Sequence, residues 1–425
     1  VGPEGVAPPR EVSERAVVLL VAGVQFVNIL DFMMVMPLGP DFSAALGIPL
    51  SRLGVVGGSY TLAAMLSGIA SSTFLDRFDR RSALTASVLG LSLATAFGGL
   101  AQGSASLIAA RLLAGAFGGP ATSVALSIVS DLVPAERRGK AMGTVMAAFA
   151  VASVLGVPAG LELAHRGGWR LPFFAVGALG LVAALVAATL LPSLRGHFTE
   201  RAGEHAGGYR DAPDASAKVP PKTTARALLG RGTVRLSFAM SAASMMGTFA
   251  LVPNITPFLL QNRGTPRDQL GALYLFGGVC SFLALPVAGR LVDRFGGARI
   301  AAPATAVVAW VIYEGFMRAR PWLPVTLVFV VWMGAMGFRN VAMQTATSKV
   351  PSAAERARFM SLQSAVQHGA SSLGAMLSTA MLSQGSDGRL VGVGRVAAFT
   401  VAMFATLPFA LAAVERRVRA EAPKR

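Results

Sequence analysis

Apolar residues run in long unbroken blocks along this chain, and the charges gather in short clusters between them. An α-helix rises 1.5 Å per residue and the hydrocarbon core of a bilayer is about 30 Å thick, so a block of roughly 20 apolar residues reads as a membrane-crossing helix. Twelve blocks meet that length, at residues 17–38, 54–74, 83–102, 106–130, 141–163, 171–191, 234–260, 270–291, 300–317, 323–348, 359–383 and 391–414. Between 192 and 233 the apolar pattern stops and Gly, Pro, Asp, Lys and Arg take over, which reads as a polar loop joining two halves. The remaining stretches, 1–16 and 415–425, read as short tails.

The halves repeat one another. Leu75-Asp76-Arg77-Phe78 recurs as Val292-Asp293-Arg294-Phe295, the same interval separates Pro134 from Pro351, and Leu155-Gly156 and Leu373-Gly374 keep it to within one residue. The expected fold is therefore an all-α membrane protein, with 12 transmembrane helices in two pseudo-symmetric six-helix bundles, residues 17–191 and 234–414. Doubled halves of this kind build secondary transporters, because two similar bundles can rock against each other around a site between them.

A net charge of +17 changes little in this picture, since the 38 Lys and Arg alternate from loop to loop rather than lining one soluble face. Nucleic acid is set aside as a partner, and the lipid bilayer takes its place. Most of the basic residues fall on the side that carries both termini and the central loop, so both termini are expected in the cytoplasm. The first block carries Asn28 and Asp31 and is followed by eleven more, so it reads as a retained helix rather than a secretion signal. The single cysteine, Cys280, excludes an intramolecular disulfide framework. Arg far outnumbers Lys and Ala and Gly are abundant, a bias that suggests a GC-rich bacterial genome and hence a bacterial inner membrane. His197, Glu200, Glu204 and His205 lie close together in the central loop, but a polar loop offers little preorganisation and they read as solvated. No metal or cofactor is expected, and the absence of HExxH, Gly-x-Ser-x-Gly or a Cys-His cluster speaks against an enzyme.

The loop Ser72-Thr73-Phe74-Leu75-Asp76-Arg77-Phe78-Asp79-Arg80-Arg81 resembles the signature loop of the major facilitator superfamily, Gly-x-Leu-Ala-Asp-Arg-x-Gly-Arg-Arg, with Ser72 and Asp79 departing from it. The second copy, Gly289 to Gly296, keeps both glycines. The resemblance implies a gate at the cytoplasmic end, with Asp76 facing the start of the eleventh span and Arg80 pairing with Asp131; Arg77, Asp293 and Arg294 belong to the same loops. In the fourth span Arg111 precedes Gly115, Gly118 and Gly119 and is similar to the family pattern Arg-x-x-Gln-Gly, with Ala114 in place of Gln. In the fifth span Gly156-Val157-Pro158-Ala159-Gly160 predicts a kink with close-approach points. It resembles the antiporter motif of sugar-efflux-like members of the drug:proton antiporter branch, although Ala152 replaces the first Gly and the Pro is displaced by one. Trp169-Arg170 also looks like that branch.

Charges inside the apolar blocks mark the candidate site. Asp31 lies about seven residues, or roughly 10 Å, from the end of its span, and Arg111 about five residues, or roughly 8 Å, into its own, so the two are expected at matching depth and as a pair. A carboxylate there can exchange a proton as access changes sides, with Arg111 tuning it and His368 the second titratable candidate. Gln25, Asn28 and Asp31 recur on one stripe, with Phe32 and Met34 as soft apolar neighbours. The second half adds Arg339, Asn340, Gln344, Gln363 and Gln367 as cavity candidates. The expected function is proton-coupled export of amphipathic small molecules, drugs or metabolites, by a monomer. A proton symporter or facilitator for a sugar or other nutrient is the alternative within the fold, and a non-transporting sensor or membrane-embedded enzyme the alternative outside it.

Overall fold

Each apolar block folds as a helix, and prolines and capping residues decide where it ends. The computed structural model describes residues 13–74, 78–191, 225–318, 320, 322–352 and 355–421. α1, Glu14–Met34, opens on Ser13, whose side chain accepts from the Ala16 amide at 3.3 Å, with Glu14 in the positively polarised first turn. The first block was expected to continue to residue 38; instead the chain turns, and α2, Gly39–Leu46, starts with Pro40 in its first turn. Pro37 and Pro40 lack the amide protons that a continuous helix would use. The remaining helices of the first half are α3, Leu53–Phe74; α4, Arg80–Gly99; α5, Ser104–Leu132; α6, Ala135–Val151; α7, Val157–Gly167; and α8, Arg170–Leu190. Between α6 and α7 the helix widens into a π turn at Ala152–Gly156. Pro158 explains it: its ring crowds the carbonyl four residues back, inside that turn, and leaves it without a donor.

The second half contains α9, Ala225–Gly230; α10, Gly232–Pro257; α11, Gln269–Phe295; α12, Gly297–Ile312; α13, Val325–Ser348; α14, Arg356–Met381; α15, Val393–Ala405; and α16, Leu407–Glu421. Pro408, at the second position of α16, divides the last span after Thr406. Among the described residues, 11 helical segments are long and apolar enough to cross a bilayer. α14 is of similar length, 26 residues, but carries Gln363, Gln367, His368, Ser371 and Ser372, and it supplies the twelfth span by packing between α3 and α10. The result is two six-helix halves.

Within the first half the main contacts are α3 with α5 and α4 with α5 and α8; within the second, α11 with α13, α10 with α14 and α12 with α13. The halves meet where α3 lies along α14 and where α7 and its π turn lie along α11. At this seam the backbones almost touch: a methyl at Gly54 would lie 2.0 Å from the carbonyl oxygen of Ala375. Only glycine permits that approach.

Burial distinguishes the two ends of the molecule. At the end away from the termini one continuous core draws on both halves, with Leu38, Phe42 and Trp169 from the first and Leu251, Phe258 and Trp332 from the second. Toward the end where α1 begins, the cores separate: one contains Val17, Leu84, Ile128 and Leu191, the other Leu228, Val234, Phe359 and Val414. Polar links reinforce the joined end. Arg267 grips Asp41 with two donors, Nε donating to Oδ1 at 2.9 Å and Nη2 to Oδ2, and the Leu50 amide donates to Gln384 Oε1 at 3.2 Å. Gln384 sits in a small antiparallel pair, Ser383–Gln384 with Leu390–Val391, that turns the chain from α14 into α15.

Candidate functional site

Asp31 and Arg111, from α1 and α5, meet inside the first half. Arg111 Nη1 donates to Asp31 Oδ1 at 2.9 Å, and the two residues are 1% and 0% exposed, which leaves water no share in the pairing. The Thr95 hydroxyl, from α4, lies 2.8 Å from the same Oδ1 and also 2.8 Å from the Leu91 carbonyl, so its single proton has two acceptors. Tyr60 of α3 presents its ring face to the guanidinium, 4.7 Å from the centroid, a favourable place for a desolvated cation. Its hydroxyl donates to Asn28 Oδ1 at 2.7 Å, and Asn28 donates in turn to Thr122 Oγ1 at 2.6 Å and the Gly118 carbonyl at 3.1 Å. Four helices are thus tied through one polar cluster. Asp31 Oδ2 and Arg111 Nε are buried in it without hydrogen-bond partners, as is Gln25 Oε1 elsewhere on α1.

An aromatic contact links this cluster to the other half. Phe32, beside Asp31 on α1, stacks on Tyr60 with centroids 5.2 Å apart and on Phe249 of α10 at 5.5 Å. Met34 faces elsewhere: it is 1% exposed and packs toward Gly160 of α7. Gly156 lies in the π turn against Leu30 of α1, while Pro158 and Gly160 belong to the α7 segment that begins there.

In the second half Arg339 of α13 is fully buried, with its guanidinium carbon 3.6 Å from the Phe404 ring centroid. Its Nη2 donates to Thr248 Oγ1 at 3.3 Å, and Nε and Nη1 have no partner. The interval that carries Asp76 onto Asp293 carries Asp31 onto Thr248. A threonine therefore holds the arginine here where an aspartate holds it in the first half. Arg339 lies further along its helix than Arg111 does along α5, so the arginines themselves are not repeat mates. Gln363 is buried, with Nε2 3.5 Å from Ser241 Oγ; Asn340, Gln367 and His368 are half-buried, and Gln344 is exposed.

Of the loop residues, Asp76 and Arg77 lie outside the described residues, as do His197, Glu200, Glu204 and His205. Arg80 Nε donates to Asp131 Oδ2 at 3.3 Å. Asp79, which departs from the family pattern, caps α4 by accepting from the Arg81 amide at 2.9 Å. Asp293 and Arg294 are exposed, with Arg294 over the Phe295 ring at 5.2 Å. Among the described residues no His, Cys, Asp or Glu cluster suits a metal ion. Sequence reasoning missed Thr95, Tyr60 and Thr248, uncharged residues in apolar runs, and the Asp41–Arg267 link, whose partners are 226 positions apart. Only the repeat interval could have pointed to Thr248.

The sequence model of the Major Facilitator Superfamily matches residues 21–240 and again 236–425. A chloramphenicol resistance protein of Streptomyces lividans is 27% identical over 300 residues, covering 70% of this chain and 72% of that protein. A purine ribonucleoside efflux pump of Salmonella paratyphi A is 28% identical over 301 residues, covering 68% of this chain and 67% of the pump. The crystal structure of a D-xylose-proton symporter superposes with a TM-score of 0.75 at 15% identity, over 93% of this chain and 97% of that one.

Proposed function

The chain belongs to the Major Facilitator Superfamily and is a multi-pass membrane transporter, not an enzyme, and from that premise we propose that it exports amphipathic small molecules in exchange for protons. The observation that carries the reading is the buried Asp31, one oxygen of which is engaged by Arg111 and Thr95 while the other has no partner. Oδ2 is the atom that takes the proton. When it does, the carboxylate becomes a neutral acid, Arg111 loses its counter-charge, and the Thr95 proton turns to the Leu91 carbonyl. Loss of the proton restores the counter-charge of Arg111 and the Thr95 contact. Arg111 and Tyr60 join this change to Asn28 on the same helix, and Phe32 joins it to Phe249 across the halves, so protonation and the packing of the two bundles are coupled.

Export is favoured by the relatives, one a chloramphenicol resistance protein and one a purine ribonucleoside efflux pump. The charge asymmetry of the loops supports cytoplasmic termini in a bacterial inner membrane. Arg80 with Asp131 serves the gate on that side, and a monomer contains the whole site. The test uses inverted vesicles with an imposed pH gradient and a panel of fluorescent amphipathic dyes, anionic, neutral and cationic, as probes. Wild-type vesicles accumulate at least one of them; Asp31→Asn vesicles do not, yet still exchange it down its own gradient. Accumulation at the wild-type rate by Asp31→Asn would remove Asp31 from the coupling and turn attention to His368, while accumulation only under the opposite gradient would make the protein a symporter.

A further inference from the structure

The two halves balance their buried arginines differently. Arg111 faces a carboxylate, whereas Arg339, equally buried, faces the neutral hydroxyl of Thr248 and a phenyl ring, with no acidic partner among the described residues. A guanidinium does not give up its proton in proteins, so its charge is permanent. An unpaired buried charge costs several kcal/mol, which a merely structural position has no reason to carry. We propose that Arg339 binds the anionic group of the transported molecule, a carboxylate or comparable oxyanion on a small amphipathic substrate. This rests on the reading of the chain as a small-molecule exporter and narrows it to a substrate class.

The local geometry suits that role. Nε and Nη2 lie along one edge of a guanidinium, the edge that grips carboxylates in a two-point fashion. Nε is unpartnered, and Nη2 is held only by the long 3.3 Å contact to Thr248. The Thr248 hydroxyl already donates its proton to the Ser244 carbonyl at 2.8 Å, so it can release Nη2 without being left unsatisfied. Phe404 covers one face of the guanidinium and leaves the in-plane edges for a ligand. The site also adjoins the surface that moves. Phe249, the residue after Thr248, makes the stacking contact with Phe32 of the first half, so separation of the bundles uncovers the helix face next to Arg339. Arg339 is closed off in the present state and gains its anion when that contact parts.

Two probes of one shape isolate the charge: 1-naphthoate and its neutral isostere 1-naphthamide, bound to the full-length protein in detergent and read by tryptophan fluorescence. Wild type prefers the carboxylate by about tenfold or more, as expected for a charge-assisted contact in a dry site. Arg339→Gln brings the two affinities together. Thr248→Asp, which supplies the counter-charge internally as Asp31 does in the first half, also abolishes the preference while raising the melting temperature of the ligand-free protein. A variant that merely misfolds cannot give that second pattern. Equal affinities in wild type, or a preference that survives Arg339→Gln, overturn the proposal. A chloride titration separates a resident inorganic anion from substrate: if chloride saturates the site and wild-type vesicles carry no naphthoate, the substrate assignment is wrong. These are equilibrium measurements without a gradient, so the comparison of wild type with Arg339→Gln reads the anion contact even if proton coupling fails.

Discussion

Removing either member of the Asp31–Arg111 pair strands the other, but the two losses should differ in size. The partners are 2.9 Å apart and essentially unexposed, conditions under which breaking a buried pair costs roughly 3–5 kcal/mol. Asp31→Ala leaves a guanidinium that cannot neutralise itself, with only the Tyr60 ring, worth about 1–2 kcal/mol, to hold it. Arg111→Ala leaves a carboxyl group that can become neutral by taking up a proton, so part of the penalty disappears. The expected order is a loss near the upper end of that range for Asp31→Ala and about 1–3 kcal/mol for Arg111→Ala, with the double variant recovering on the order of 2 kcal/mol relative to the sum. Reversible denaturation in mixed detergent micelles at neutral pH, run on all four forms, gives the coupling energy. Strictly additive losses would refute the pairing as an energetic unit, and equal single losses would refute the argument from self-neutralisation.

At the far end, Asp41→Asn removes a half-exposed ion pair worth roughly 0.2–1 kcal/mol, so a thiol introduced at the seam by Ser372→Cys in a Cys280→Ser background should label about 1.4- to 5-fold faster. Unchanged labelling would mean that the link does not hold this end shut. Gly54→Val should act more strongly in the same assay, because its side chain meets the Ala375 carbonyl; overpacking of about 1–3 kcal/mol corresponds to roughly 5- to 150-fold in the balance of states. Slower labelling than wild type would contradict the seam geometry. At the other end, partial burial of Glu355 raises its proton affinity, but hydrogen bonds from Ser352 and the charge of Arg231 outweigh it and hold the carboxyl below its ordinary value of 4.5. A depressed carboxyl stabilises the fold above its ordinary value and loses that contribution as pH falls below it. Glu355→Gln should therefore flatten the acid limb of the stability profile below pH 4.5, and an unaltered limb would exclude the contribution.

The spans and their pairing into halves were legible because hydrocarbon imposes so strict a rule on the backbone: a blocked, mostly uncharged run of the right length has few other uses. Asp31 and Arg111 stood out for the same reason, being costly where they sit. What escaped notice was cheap. Thr95 and Tyr60 are tolerated in any apolar helix, and only the folded chain reveals that one touches the carboxylate and the other the guanidinium. Nothing in local sequence connects Asp41 with Arg267, since each looks like an ordinary loop charge until the halves are brought together. The kink at Pro158 was foreseeable, but its form was not: the missing hydrogen bond is absorbed over the preceding turn as a π segment, which packs against α1 and α11.

The separate cores near the termini and the shared core at the opposite end imply an order of assembly. Residues from Val17 to Leu191 close one private core without help from the second half, and those from Leu228 to Val414 close the other. A ribosome delivering the chain from its N-terminus therefore completes a packed unit before the second half exists, and the shared core, which needs both, is the last to form. Any working cycle that opens the joined end dismantles that newest layer and spares the two older ones. Opening and closing that end would take apart and rebuild only the layer assembled last, and leave each half's own core packed.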